Sequence, residues 1–249
     1  MWHYRIRLPY AFVCLTFSVM TTIWNWDCES LQAESPASFP DPVEKQIEGW
    51  TVDVDPQLFS KEHAELGRKS LDALANHLQR VKYIVPPERV AALQKLRIWV
   101  DLQHAELDKM QYHPNRAWLE ARGFDPRLAQ HVHIPVARQL FARNMRAQHP
   151  YVVLHELAHA YHDQVLSFDQ AEIIAVFDAA KESGLYESVL CHTGIKVRHY
   201  GLNNHKEYFA ESTEAYFGVN DFYPFVRAEL KQHDPAMFAL LVKIWGPVP

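Results

Sequence analysis

The sequence predicts a single α+β domain. Short alternating, β-branched stretches lie mainly in the first half of the chain, and stretches with helical spacing dominate the second. No internal repeat or second linker divides them. With 249 residues, 48% of them apolar, the chain has material for one sizeable core. Its formal charge of −5 and its lack of a basic run argue against a nucleic-acid partner.

At the N-terminus, MWHYRIRLPYAFVCLTFSVMTTIW places Arg5 and Arg7 before an apolar stretch from Leu8 to Trp24, the order of a secretory signal. Thr and Ser dilute the stretch, and it falls short of the roughly 20 residues of a membrane span. The expectation is a signal over residues 1–33 and export to a secreted, periplasmic or cell-envelope location. An uncleaved N-terminal anchor is the alternative, and the sole membrane contact expected. Of the three cysteines, Cys14 lies inside the signal, so no disulfide framework holds the fold; Cys191 is expected as a free thiol, with a Cys28–Cys191 pair as the alternative.

ESPASFPDP, residues 34–42, has three prolines and no apolar periodicity. It opens a linker placed over 34–48, with the folded domain at 49–249. GWTVDVD (Gly49 to Asp55) alternates as a strand and is stopped by Pro56. Lys61 to Val85 carries Leu71, Leu74, Leu78 and Val81 at three- and four-residue spacings, the stripe of an amphipathic helix closed by Pro86-Pro87. A short helix from Glu88 to Leu96 leads into LRIWVDLQ, a buried strand by its β-branched and aromatic content. His104 to Gln130 reads as irregular, with YHPNRAW and GFDP as turn signals. VHIPV (Val132 to Val136) is a short strand, and Pro135 suits a sheet edge, where a peptide can be held as one further strand. Helices are expected from Pro150 to about Leu166 and from Asp169 to Ser183, then a loop or hairpin over CHTGIKVRHYGLNN. A third helix spans Asn204 to about Phe217, with Asn204 as N-cap and Glu207 at N3, a variant of the capping box.

The chemistry concentrates in HELAHAYHD, His155 to Asp163. Residues four apart share one helix face, so His155 and His159 direct two imidazoles at a common point, as one Zn2+ ion requires. Glu156, rotated by about 100°, approaches from the side and is placed to take a proton from a water held by the ion. Fifteen histidines make accidental matches easy, so the motif needs a third ligand. The glycine-containing continuation HExxHxxGxxH/D is absent. His162 lies about 10 Å along the axis from His155, too far for one ion to span, and reads as a bystander. Asp163, one turn beyond His159, is a candidate to orient that ligand's second nitrogen, or else an ordinary surface carboxylate. NNHKEYFAESTEAYF supplies Glu207, Glu211 and Glu214 from a later helix. Glu207 and Glu211 lie one turn apart on one face, so one can bind an ion while the other hydrogen-bonds a ligating histidine.

HELAHAYHD followed some 40 residues later by YGLNNHKEYFAESTEAYF resembles the lethal-factor type of gluzincin, the zinc peptidases whose third ligand is a glutamate on a later helix. The likeness covers about 65 residues and excludes that toxin's large additional domains, so neither toxin activity nor its substrate is carried over. It implies a zincin-like fold, in which a small mixed sheet with an edge strand packs on the HExxH helix and a second ligand-bearing helix. It also implies His155, His159 and Glu207 as metal ligands, Glu156 as the base, Tyr200 as the oxyanion donor and Glu211 as a supporting carboxylate. The implied activity is zinc-dependent hydrolysis of a peptide or protein substrate. An inactive zinc-binding recognition module and a hydrolase of non-peptide amides are the alternatives. His113 and Arg116, in the long irregular region, are assigned ordinary loop roles.

Overall fold

The computed structural model describes residues 39–248; the expected signal, the first part of the expected linker, Cys14 and Cys28 lie outside the described residues. The chain runs β1 (Val43–Ile47), β2 (Trp50–Val54), α1 (Ala64–Ile84), α2 (Pro87–Leu93), β3 (Arg97–Val100), β4 (Gln111–Tyr112), α3 (Arg116–Glu120) and β5 (His131–Ile134). It continues through α4 (Arg143–Gln148), α5 (Val152–Tyr161), a π turn at His162–Leu166, α6 (Ala171–Glu182), β6 (Val189–Leu190), β7 (Lys196–Val197), α7 (His205–Phe217), α8 (Arg227–His233) and α9 (Pro235–Trp245). This is a mixed α+β architecture. No helix among the described residues is long and apolar enough to cross a membrane.

The main sheet has the order β1-β2-β3-β5-β4. Strands β2, β3 and β5 are parallel, while β1 and β4 join the two sides antiparallel. Two expectations are corrected here. Residues 43–47, assigned to the linker, form β1, whose exposed Glu44, Lys45 and Gln46 disguise it as solvated chain. Its turn to β2 is Glu48-Gly49, with φ of 54° and 98°, the left-handed pair that suits strand twist. The second correction concerns the edge. β5 is interior, because it ends at Ile134 before Pro135 could cost a ladder bond. The edge beside β5 is β4, two residues long, inside the region read as irregular, and β1 forms the opposite edge.

Period-two alternation explains why the sheet has two different faces. Val52, Val54, Ile98, Val100, Val132 and Ile134 point into the main core, where α1 contributes Leu74, Leu78 and Val81 and α5 contributes Leu154 and Leu157. Gly67 lets α1 approach the preceding loop, since a Cβ there would lie 2.1 Å from the Leu58 carbonyl oxygen. Trp99, on the opposite face, packs with Leu119, Phe124 and Leu128, so the 104–130 region is a cover with its own small core. The C-terminal α9, for which the sequence suggested no element, closes the main core with Met237, Leu241 and Trp245.

The covered polar face is held by charge pairing. Asp53, 5% exposed, accepts from Arg97 Nε and Nη2 at 3.0 and 2.8 Å and from His131 Nε2 at 3.1 Å, which ties β2 to β3 and β5. Burial alone would raise the Asp53 pKa, but His131 and Arg97 outweigh it and hold the carboxyl below its ordinary value. A depressed folded-state pKa adds stability above the unfolded value, and that stability is lost as pH falls through the folded one. Asp53→Asn is therefore expected to cost about 1.5–3 kcal/mol in urea unfolding at pH 7. The gap from wild type should narrow below about pH 4, where the unfolded aspartate takes up its proton.

Candidate metal centre

Helix α5 is buried along nearly its whole length, and every residue from Val153 to Tyr161 is inside the protein. Small Ala158 and Ala160, both fully buried, let neighbouring helices approach closely. Helix α7 packs against it, also buried from Tyr208 to Phe217. Its start is set by Asn204, whose side chain accepts from the backbone N–H groups of Lys206 and Glu207 at 3.0 Å each. Glu207 does not complete the box by reaching back to the cap. It turns across to α5.

There the structure brings His155, His159 and Glu207 together. His155 Nε2 and His159 Nε2 are 3.0 Å apart, and Glu207 Oε2 lies 3.3 Å from the first and 3.2 Å from the second. A tetrahedral ion with bonds of about 2.0–2.1 Å separates its ligands by roughly 3.3 Å. The triangle has the donors, two imidazole nitrogens and a carboxylate oxygen, and the edges for such an ion. A second close group is His155, Glu211 and Glu214.

That second group corrects one assignment. The carboxylate that accepts from His155 Nδ1, at 2.7 Å, belongs to Glu214, whereas Glu211 Oε1 stands 3.8 Å away. Seven residues after Glu207, Glu214 returns to within about 20° of its azimuth, against about 40° for Glu211. The i, i+7 relation on α7 was the available signal. Glu214 also fixes the imidazole, because it holds the Nδ1 proton and so sets Nε2 as the nitrogen facing the triangle. Glu211 is buried with Oε2 lacking a hydrogen-bond partner, and burial pushes its pKa well above the usual carboxylate range.

Asp163 is not brought to His159. Its Oδ2 accepts from the Tyr112 hydroxyl at 2.7 Å instead, across to strand β4. Tyr200 opens a 3₁₀ turn, Tyr200–Asn203, and stands half-exposed in the same cleft as the triangle, its pKa raised by partial burial and by Glu207. His113 is buried against His133, with Nε2 to Nδ1 at 3.0 Å, and Arg116 pairs with Glu120 on the surface. Neither lines the cleft. Among the described residues Cys191 is buried and has no disulfide partner.

Electrostatics in this pocket follow from burial among like charges. Burial raises the Glu156 pKa to about 8; the neighbouring His155 opposes the rise while Glu207 and Glu214 add to it. For His155 burial disfavours the charged ring, but Glu207 and Glu214 outweigh it and hold the pKa well above its ordinary value. Burial would likewise neutralise Glu207, yet both histidines keep it ionised. His159 is pushed down, chiefly by burial. Around these groups opens a cleft of ≈ 850 Å³, lined by residues 106–112 and by Phe168, Tyr200 and Lys206.

No family model matches the chain, and no curated protein matches it. Among solved structures, the Pro-Pro endopeptidase PPEP-2 from Paenibacillus alvei is similar at a TM-score of 0.42 and 15% identity, over 80% of this chain and 99% of that one.

His162 is the histidine of HELAHAYHD that joins nothing. It is fully buried against Phe168 and Phe209, with neither ring nitrogen hydrogen-bonded, and burial drives its pKa to about 3. Replacing an unsatisfied buried polar ring by an apolar side chain removes a desolvation penalty of about 1 kcal/mol or more. His162→Leu is expected to keep the fold and raise the melting temperature by about 2–4 °C in a thermal scan.

Proposed function

We propose that the protein is an exported zinc metallopeptidase. The observation that carries this reading is the triangle of His155 Nε2, His159 Nε2 and Glu207 Oε2, with Glu156 buried beside it and an open cleft above. Arg5, Arg7 and the apolar stretch after them support export.

His155, His159 and Glu207 would hold one zinc ion. Zinc in such a site acts as a Lewis acid and brings the pKa of water toward about 7. The chain's own groups do the rest. A peptide lies along β4 as a further strand, its carbonyl presented to the triangle. Glu156 would act as its carboxylate, the form a bound cation favours: it accepts a proton from the attacking water and passes it to the nitrogen of the leaving amine. The Tyr200 hydroxyl donates to the oxyanion that develops on the carbonyl oxygen. Glu214 keeps His155 in the tautomer that leaves Nε2 free.

Metal analysis is expected to find one zinc per wild-type chain and none retained by Glu207→Ala after dialysis. Glu214→Gln should weaken zinc binding about 10- to 100-fold. Glu156→Gln should retain zinc while cleavage of a broad peptide library falls at least about 100-fold. Wild-type-like cleavage by Glu156→Gln would exclude the mechanism. Stoichiometric zinc with no cleavage by the wild type would instead indicate a recognition module.

A further inference from the structure

Strand β4 is the free edge of the sheet beside the cleft, and its two residues leave little backbone to offer. In the antiparallel ladder with β5, His113 turns its backbone inward: its N–H reaches His131 O at 3.2 Å and its C=O accepts from Gln130 N–H at 2.6 Å. Alternation then turns the N–H and C=O of Tyr112 outward. The next outward position is Pro114, which has no N–H to give. The carbonyl oxygen of Tyr112 is thus the acceptor this edge offers an added strand, while its N–H donates to the Glu156 carboxylate.

The side chain of the same residue is fastened from below. Tyr112 Oη donates to Asp163 Oδ2 at 2.7 Å and accepts from Gln164 Nε2 at 3.2 Å. Gln164 Nε2 also reaches the carbonyl oxygen of Gln130, at 3.1 Å, on the residue that leads into β5. Asp163 and Gln164 are consecutive, and both reach one hydroxyl because α5 ends in the π turn His162–Leu166. Widening a turn to i→i+5 bonding inserts one residue and redirects the side chains after it. The helix that bears His155 and His159 therefore holds the edge strand at a set height.

We propose that Asp163 and Gln164 are positioning residues, which act through the Tyr112 hydroxyl to set the distance between the substrate-docking edge strand and the metal triangle. This rests on the reading that a peptide docks on β4 beside a bound zinc. It gives the π turn a function, and it assigns Asp163 to the substrate side of the site rather than to a ligating histidine.

The test uses two probes on the zinc-loaded protein, measured by calorimetry. Acetohydroxamate has a metal-binding group and no peptide arm; a tripeptidyl hydroxamate has both. Tyr112→Phe and Asp163→Asn should each leave zinc content and acetohydroxamate affinity within about twofold of wild type, yet weaken the tripeptidyl hydroxamate about 10-fold. The double variant should lose no more than about twofold beyond either single one, since both remove the same contact. Gln164→Ala, which leaves the Asp163 bond intact, should lose about threefold. An unchanged preference for the peptidyl probe in all the variants would overturn the proposal while leaving the metallopeptidase reading standing. Wild type that binds neither hydroxamate would sink that reading, and the positioning role with it.

Discussion

Packing α5 against α7 imposes the constraint on which the rest depends. Both helices are buried almost completely, and both carry ionisable groups on the faces that meet. A buried charge is tolerable only when a partner faces it. Glu207 and Glu214 meet His155, and Glu207 also meets His159, so each imidazole opposes a carboxylate. The pairing selects the helix register. A slip of one residue along either helix would rotate it by about 100° and leave these charges facing hydrocarbon.

The same arrangement crowds several carboxyl groups into one buried site. Glu156 and Glu211 have raised pKa values because burial and neighbouring carboxylates both disfavour their ionised forms. Two imidazole nitrogens and a carboxylate oxygen converge here at separations that fit the ligands of one divalent cation. The sheet serves this centre from the other side. Asp53 ties its parallel strands together on the covered face, and the π turn ties its free edge to α5.

Much of the fold was legible because it rests on local periodicity. The stripe of α1, the alternation of β2 and the cap at Asn204 are properties of consecutive residues, and the elements form close to their predicted bounds. Two errors share a cause. β1 is a solvent-exposed strand whose polar residues carry no hydrophobic alternation, and β4 is two residues long within a stretch full of turn signals. Each is a strand because a neighbour offers it hydrogen bonds, which no local pattern records. The π turn was hidden for a similar reason, since its residues continue a helical pattern while their backbone bonds shift.

By itself the sequence determined which residues could do chemistry: the i, i+4 spacing places His155 and His159 on one helix face, and Glu207 and Glu211 stand one turn apart on a later helix. Only the tertiary structure decided how the remaining polar residues are shared out. It gave His155 to Glu214 rather than Glu211, Asp163 to Tyr112 rather than His159, and the sheet edge to β4 rather than β5. Spacing along a helix specifies direction around one axis. Which of several carboxylates pointing that way meets a partner depends on where the second element crosses, and that crossing is set by packing of the whole core.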